Sequence, residues 1–232
     1  PKEGSDPVNH VLPAWDIATG FSAVNGLLAA ERYRRVHGEG QLISIALSDM
    51  AFSTLGNLGF IGEEQILKKT RSPGGNELFG AFGRDFLTRD NRRVMIVAIT
   101  QRQWKALVET MKLEEGISEI EVRMRLDLSM EGDRYQATDE VARLIAPWCA
   151  ALDLSELSRK LTEGGVSWGP YRTVRQALDE DWRCSEENPM FEFIEQPGIG
   201  KYLVPGSPLD FSAVPNQSVQ CAPVLGQHTD EV

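Results

Sequence analysis

Residues 30–51, AERYRRVHGEGQLISIALSDMA, decide the reading of the fold. The stretch opens as the tail of a helix: Arg32, Arg34 and Arg35 stand where the negative pole of a helix favours cations. Gly38 follows, as a glycine does just past a helix end. After Gly40-Gln41 comes Leu42–Leu47, a nearly unbroken apolar run of the kind that a strand buried on both faces requires. Ser48 then stands at a helix start, ahead of Met50, Leu55, Leu58 and Ile61, and this second helix is predicted to run to about Lys69. Helix, buried strand, helix is the grammar of an α/β fold.

Upstream, Ile17, Phe21, Val24 and Leu28 recur at helical spacing with Leu27 beside them, predicting a helix over Ile17–Val36. Gly20, Ser22, Ala23, Gly26, Ala29 and Ala30 make that helix slim and suited to tight burial. Asp16 stands at its start as a candidate N-cap. Residues 1–15 are predicted extended or loop, because Pro7 and Pro13 exclude helix. Downstream, a glycine-rich loop spans residues 72–83, SPGGNELFGAFG. Two strands, Asp85–Thr88 and Arg93–Ile99, follow in hairpin style around Arg89-Asp90-Asn91. Helices are expected over Gln101–Met111, Ile117 to about Leu126, Gln136–Leu152 and Leu154–Leu161, broken by Gly164-Gly165. Val166–Trp168 reads as a strand entering a helix over Thr173–Leu178, and Phe191–Glu195 and Lys201–Val204 as strands flanking Pro197-Gly198. The middle, about 67–165, is therefore an α+β insert between two α/β segments, an arrangement that favours a ligand cleft.

The formal net charge of −10 opposes nucleic-acid binding, since a polyanion needs a basic stripe and the cations here are scattered among a larger number of acids. No stretch approaches the roughly 20 apolar residues that cross a bilayer. Pro1–Pro13 is polar and lacks the pattern of a signal peptide. Cys149, Cys184 and Cys221 form no CxxC pair and read as reduced thiols of a cytoplasmic protein. The chain starts without Met and stops at Thr229–Val232 where a helix would begin, so it is expected to be a piece of something longer.

From chemistry alone, two readings of Asp16 stay open. It is an N-cap, or it is a carboxylate at a helix N-terminus aimed into a cleft, where a desolvated and oriented carboxylate acts as a covalent nucleophile. His10, six residues earlier, is a possible auxiliary group; His37 belongs to a solvated helix end. His10, His37 and His228 show no metal-ligand spacing, so no metal is expected. Gly74, Gly75, Asn76, Gly80, Ala81, Phe82 and Gly83 form neither a Walker A loop nor a dinucleotide fingerprint, since no strand precedes them. That loop is a connector or a mobile lid.

Several stretches together resemble the class III CoA-transferases, the family that includes formyl-CoA transferase, carnitine CoA-transferase and α-methylacyl-CoA racemase. Residues 30–51 resemble its helix, Gly-x-Gly-Gln turn, buried strand and following helix start. Asp16, in Trp15-Asp16-Ile17-Ala18-Thr19-Gly20, stands where the family has its catalytic aspartate ahead of small residues. Residues 165–171, GVSWGPY, resemble its return strand, and residues 222–232, APVLGQHTDEV, resemble its closing signature, with Gln227 in place of the usual glutamate. Residues 8–16 (VNHVLPAWD) and 75–88 (GNELFGAFGRDFLT) resemble the branch that shifts CoA within one dicarboxylic acyl group.

The resemblance implies a Rossmann-like large domain, present here in part as residues 1–66 and 166–232, and a smaller α+β domain over 67–165. It implies an interlocked homodimer, and an upstream half, absent here, that supplies most contacts to the CoA nucleotide. It implies that Asp16 carries CoA transfer between carboxylic acids through an aspartyl-CoA thioester. The substrates would be an acyl-CoA and a carboxylic acid, with no permanent cofactor. Two rival readings remain: a racemase in which Asp16 moves the α-proton of a 2-methylacyl-CoA, and a non-catalytic dimerisation module.

Overall fold

A computed structural model describes residue 6, residues 11–68 and residues 70–231. The chain divides into two units, Pro1–Gly80 and Ala81–Val232.

The first unit is helical among its described residues. Helix α1 spans Ala14–His37, α2 Leu47–Asn57 and α3 Phe60–Leu67. α1 ends as its sequence dictates. Gly38 takes φ +79° and donates its N–H to Arg34 O at 2.8 Å, while Arg34, Arg35 and His37 occupy the last turn. α2 packs on α1, where the Ser22 hydroxyl donates to Met50 Sδ at 3.2 Å. Gly26 faces Ile43 there, with room for a Cβ only at 3.4 Å from its Cγ2.

Three expectations are corrected in this unit. Residues 42–46 form no strand, Leu42 is 92% exposed, and α2 begins at Leu47 rather than under a Ser48 cap. A strand buried on both faces needs neighbours to satisfy its backbone and cover its side chains. Among the described residues of this unit there is no strand beside it. The predicted helix to Lys69 is broken at Gly59 (φ +82°), which separates α2 from α3; Lys69 lies outside the described residues. No described residue of the unit is buried, and Phe21, Val24, Leu27 and Leu28 of α1 are all exposed.

The second unit carries a conventional core. β1 (Phe82–Leu87), β2 (Arg93–Ala98) and β3 (Ser167–Pro170) form an antiparallel sheet in that order. The hairpin register pairs Phe82 with Ala98 and Phe86 with Val94. Period-two alternation sends Val94, Ile96 and Ala98 to one face. There they are buried with Trp104 and Leu107 of α4 (Gln101–Met111), Val141 and Ile145 of α7 (Thr138–Ala150), and Leu157 and Leu161 of α8 (Leu154–Glu163). α4 opens with a capping box between Thr100 and Gln103. The Gln103 amide also donates to Ser167 Oγ at 2.9 Å, joining α4 to β3.

Between α4 and α7 lie α5 (Glu114–Met124) and α6 (Glu131–Gln136). The helix expected over Gln136–Leu152 is observed as α7, while α6 is an additional short helix ahead of it; the two meet at Ala137, where the Thr138 hydroxyl turns back to Arg134 O and Tyr135 O. Gly164-Gly165 does end the helical run, for two different reasons. Gly165 takes φ +69°, and a Cβ on Gly164 would collide with Thr110 Oγ1.

After β3, Thr173 caps the short α9 (Val174–Glu180), and a 3-10 turn covers Trp182–Cys184. β4 (Phe191–Gln196) and β5 (Gly200–Pro205) pair as a separate hairpin around Pro197-Gly198. The closing segment is held by a two-way bond: the Gln196 amide donates to Ala222 O at 3.1 Å, and Ala222 N–H donates to Gln196 Oε1 at 2.8 Å. Gln227 Oε1 accepts the N–H of Val224 at 2.9 Å, a bond that a glutamate carboxylate would accept equally well.

Candidate active-site residues

Asp16 is the third residue of α1, within its first turn rather than at its cap. The cap position is Pro13, with φ −74° and ψ 69°, and it gives no side-chain bond. The first backbone bond of the helix runs from Ile17 N–H to Pro13 O at 3.1 Å. The Ala14 N–H donates to Leu12 O at 2.8 Å, and the N–H groups of Trp15 and Asp16 have no side-chain cap at the positive end of a 24-residue helix. Asp16 belongs to that end, its side chain is exposed, and among the described residues its carboxylate makes no hydrogen bond or ion pair. The candidate N-cap reading is thereby corrected: proline ahead of the helix fixes the backbone entry, and Asp16 falls three positions later.

The glycine-rich stretch is shorter as a loop than its composition suggests. Gly75 (φ +62°) and Gly80 (φ +84°) take the left-handed conformation, and the Glu77 N–H closes a turn onto Gly74 O at 3.0 Å. Ala81 and Phe82 are buried and Gly83 pairs with Val97, so these three belong to the sheet unit, where movement would break the ladder. Only Gly74, Gly75, Asn76 and Gly80 of the expected lid residues lie in turn-rich chain. His10 lies outside the described residues.

Arg71, at the entrance to this loop, carries no signal in its sequence context. Its guanidinium lies 4.0 Å from the ring centroid of Phe60 and 3.7 Å from that of Phe79, and its Nε donates to Glu63 Oε2 at 2.6 Å. The four residues come from α3 and from both ends of the glycine-rich segment. A Phe and a Glu three apart on one helical face, followed by Arg and Phe eight apart in a loop, is too loose a pattern to reveal this in advance.

Elsewhere the chemistry is structural. Burial pushes the Cys149 thiol up to about 12, which keeps it protonated and without nucleophilic use. Among the described residues no group of three His, Cys, Asp or Glu side chains could hold a metal ion. A groove of about 590 Å³ between α4 and α5, floored by Trp104, Val108 and Ile117, contains none of the residues above.

Three kinds of relative match. The family model described as "CoA-transferase family III" matches residues 1–229. A 2-methylfumaryl-CoA isomerase of Chloroflexus aurantiacus is 53% identical over 98% of this chain and 56% of its own length. A succinyl-CoA:mesaconate CoA-transferase of Haloarcula hispanica is 27% identical over 94% of this chain and 52% of its own. The chain thus spans about half the length of these curated relatives. Among solved structures, a CAIB/BAIF family protein from Brucella suis superposes with a TM-score of 0.71 at 19% identity, over 100% of this chain and 57% of that one. A protein of M. tuberculosis does so with a TM-score of 0.73 at 17% identity, over 99% and 58%. Both share the mixed α/β fold.

Proposed function

The chain belongs to CoA-transferase family III, and on that premise we propose that its protein moves coenzyme A between carboxylates, in the first place between the two carboxylates of a 2-methylfumaryl group. The observation that carries this reading is the 53% identity to 2-methylfumaryl-CoA isomerase over 98% of the chain.

Asp16 is the nucleophile in this reading. Its carboxylate attacks the thioester carbonyl, the C–S bond breaks, and a mixed anhydride and CoA thiolate result. The thiolate attacks the aspartyl carbonyl of the anhydride and releases the acyl group as a free acid, leaving an aspartyl-CoA thioester. The second carboxylate of that acid then attacks the aspartyl thioester. A second anhydride forms, the thiolate attacks its acyl carbonyl, and Asp16 is regenerated with CoA on the other end of the acyl group. No net proton, electron or phosphate is consumed. The uncapped N–H groups of Trp15 and Asp16 in the first turn of α1 supply donors for the oxyanion that develops at each attack. Anhydrides hydrolyse, so water has to be kept out, and the Gly74–Gly80 segment is the lid that does so.

The first unit has no buried residue among those described, which fits a helical layer that is covered in the whole protein. The reading therefore includes a Rossmann-like large domain formed by residues 1–66 and 166–232 with additional chain, a smaller domain over 67–165, and an interlocked homodimer.

The decisive experiment uses the full-length protein with 2-methylfumaryl-CoA. Asp16→Asn should leave the fold intact, because Asp16 is exposed and forms no cap, and should lower turnover at least about 1000-fold as expected for loss of a covalent nucleophile. Hydroxylamine should trap Asp16 in the unmodified enzyme. With a saturated 2-methylacyl-CoA, whose α-carbon carries a hydrogen, solvent deuterium entering that carbon without a trapped adduct would replace this reading by proton transfer. A folded Asp16→Asn protein with ordinary turnover would remove Asp16 from the chemistry altogether.

A further inference from the structure

We infer that Arg71 is a positioning residue that latches the glycine-rich segment to α3, and that the segment leaves or closes over the substrate by making and breaking this latch. The inference rests on the lid reading given above and adds to it the residue that controls the lid.

Phe79 is the large apolar side chain next to the lid's second left-handed glycine, Gly80, and it is 53% exposed. A ring so exposed is not held by core burial. It is held on one face by the Arg71 guanidinium at 3.7 Å, which also lies 4.0 Å from the ring centroid of Phe60. A planar guanidinium can stack on two rings at once, which an ammonium cannot do. Glu63 fixes the third direction: Nε donates to its Oε2 at 2.6 Å and Nη2 lies 2.5 Å from the same oxygen. Arg71 and Glu63 are 22% and 23% exposed at the side chain, so the pair is drier than an ordinary surface bridge.

Both anchors on the helix side, Phe60 and Glu63, lie one turn apart at the start of α3 and present a rigid platform. The moving side has hinges where they are needed. Gly75 and Gly80 both sit in the left-handed region and bracket Asn76–Phe79. A clamp made of one cation, two rings and one carboxylate, flanked by glycine hinges, is strong enough to hold a closed or parked position and weak enough to release on binding. Energetically it is a two-state element that a ligand can bias.

The test is hydrogen–deuterium exchange of the peptide covering residues 72–80 in the full-length protein, paired with steady-state kinetics on 2-methylfumaryl-CoA. The Glu77 amide, bonded to Gly74 O, is the reporter inside that peptide. Arg71→Met should raise its exchange on the order of tenfold, the size expected for losing two cation–π contacts and an ion pair. Arg71→Lys should fall between it and the parent, since Lys keeps a charge opposite Glu63 and loses the double stack. Phe79→Leu, which leaves every charge in place and removes one of the two ring contacts, should raise it by a smaller factor, about two- to fivefold. Exchange over β1 and β2 serves as the control and should stay unchanged. If exchange over 72–80 in all three variants equals that of the parent, the latch is overturned whatever the kinetics. If exchange rises and KM and CoA loss by hydrolysis rise with it while kcat changes less than about threefold, latch and lid both hold. If exchange rises with KM, kcat and hydrolysis untouched, the latch stands and the lid reading is lost.

Discussion

Arg134→Met tests the most unusual element of the core. The Arg134 side chain is fully buried, and no carboxylate lies within ion-pair distance of it among the described residues. Its guanidinium instead donates to three carbonyls: Nη1 to Leu128 O at 2.9 Å and Ser129 O at 2.8 Å, and Nη2 to Ile99 O at 2.5 Å. It also lies 5.5 Å from the ring centroid of Trp104, and its Nε has no partner. Desolvation lowers its pKa, with Glu131 acting weakly in the opposite sense. The side chain thus ties the end of β2 to the loop before α6. Methionine fills much of the volume and removes the buried charge, which recovers some desolvation cost. It leaves the buried Leu128 carbonyl without this donor, at about 1–3 kcal/mol, and the partly buried Ser129 and Ile99 carbonyls without theirs, at less each because water can reach them. A net loss of about 3 kcal/mol follows. With a urea dependence of about 2 kcal/mol/M for a unit of this size, the midpoint falls by roughly 1.5 M. Urea unfolding followed by tryptophan fluorescence reads this directly. A loss below about 1 kcal/mol with an unchanged slope would show that the three carbonyls do not depend on Arg134, and the reasoning would be wrong.

Gly164→Ala should cost about 1–3 kcal/mol, because its Cβ would collide with Thr110 Oγ1 and lie 2.8 Å from Cγ2, although φ −76° is open to any residue. Adding Thr110→Ala should restore most of that loss in the same unfolding assay; equal loss in both variants would refute the steric account. Asp181 accepts from Arg183 Nη2 at 2.6 Å and Arg172 Nη1 at 2.7 Å, and the Arg183 hydrogen bond holds its carboxyl well below the ordinary 3.8. A depressed folded-state pKa stabilises above the ordinary value and fades as pH falls through the folded one. The gap in Tm between parent and Asp181→Asn should accordingly be widest at about pH 7 and shrink steadily below about pH 4; a gap independent of pH would contradict it. The full-length protein should measure as a dimer by light scattering, and a monomer would remove the interlocked reading.

Much of the secondary structure is local chemistry and was legible as such. The Gln101–Met111 helix is observed with the bounds expected, because its capping box and apolar spacing are complete within its own residues. The hairpin around Arg89-Asp90-Asn91 and the one around Pro197-Gly198 follow from turn residues between β-forming runs. The family was legible for a different reason: four short motifs in the right order, none decisive alone, span nearly the whole chain. Asp16 emerged from that order and not from its own chemistry, since an aspartate near a helix start is commonplace.

Where reading failed, the deciding partner was distant. Leu42–Leu47 has the composition of a buried strand, yet an apolar run states only that it avoids water, and a strand exists only where another strand accepts its backbone bonds. Arg134 sits in a helix where an arginine is ordinarily solvated, and its burial depends on carbonyls at Leu128, Ser129 and Ile99. Arg71 depends on rings eleven residues before it and eight after it. What the sequence alone determined was each turn, cap and amphipathic face whose partners lie within a few residues, together with the order of the family motifs. Which polar groups became buried, and which loop residue a cation would clamp, was decided by tertiary structure alone, because both follow from contacts between segments that only folding brings within hydrogen-bonding reach.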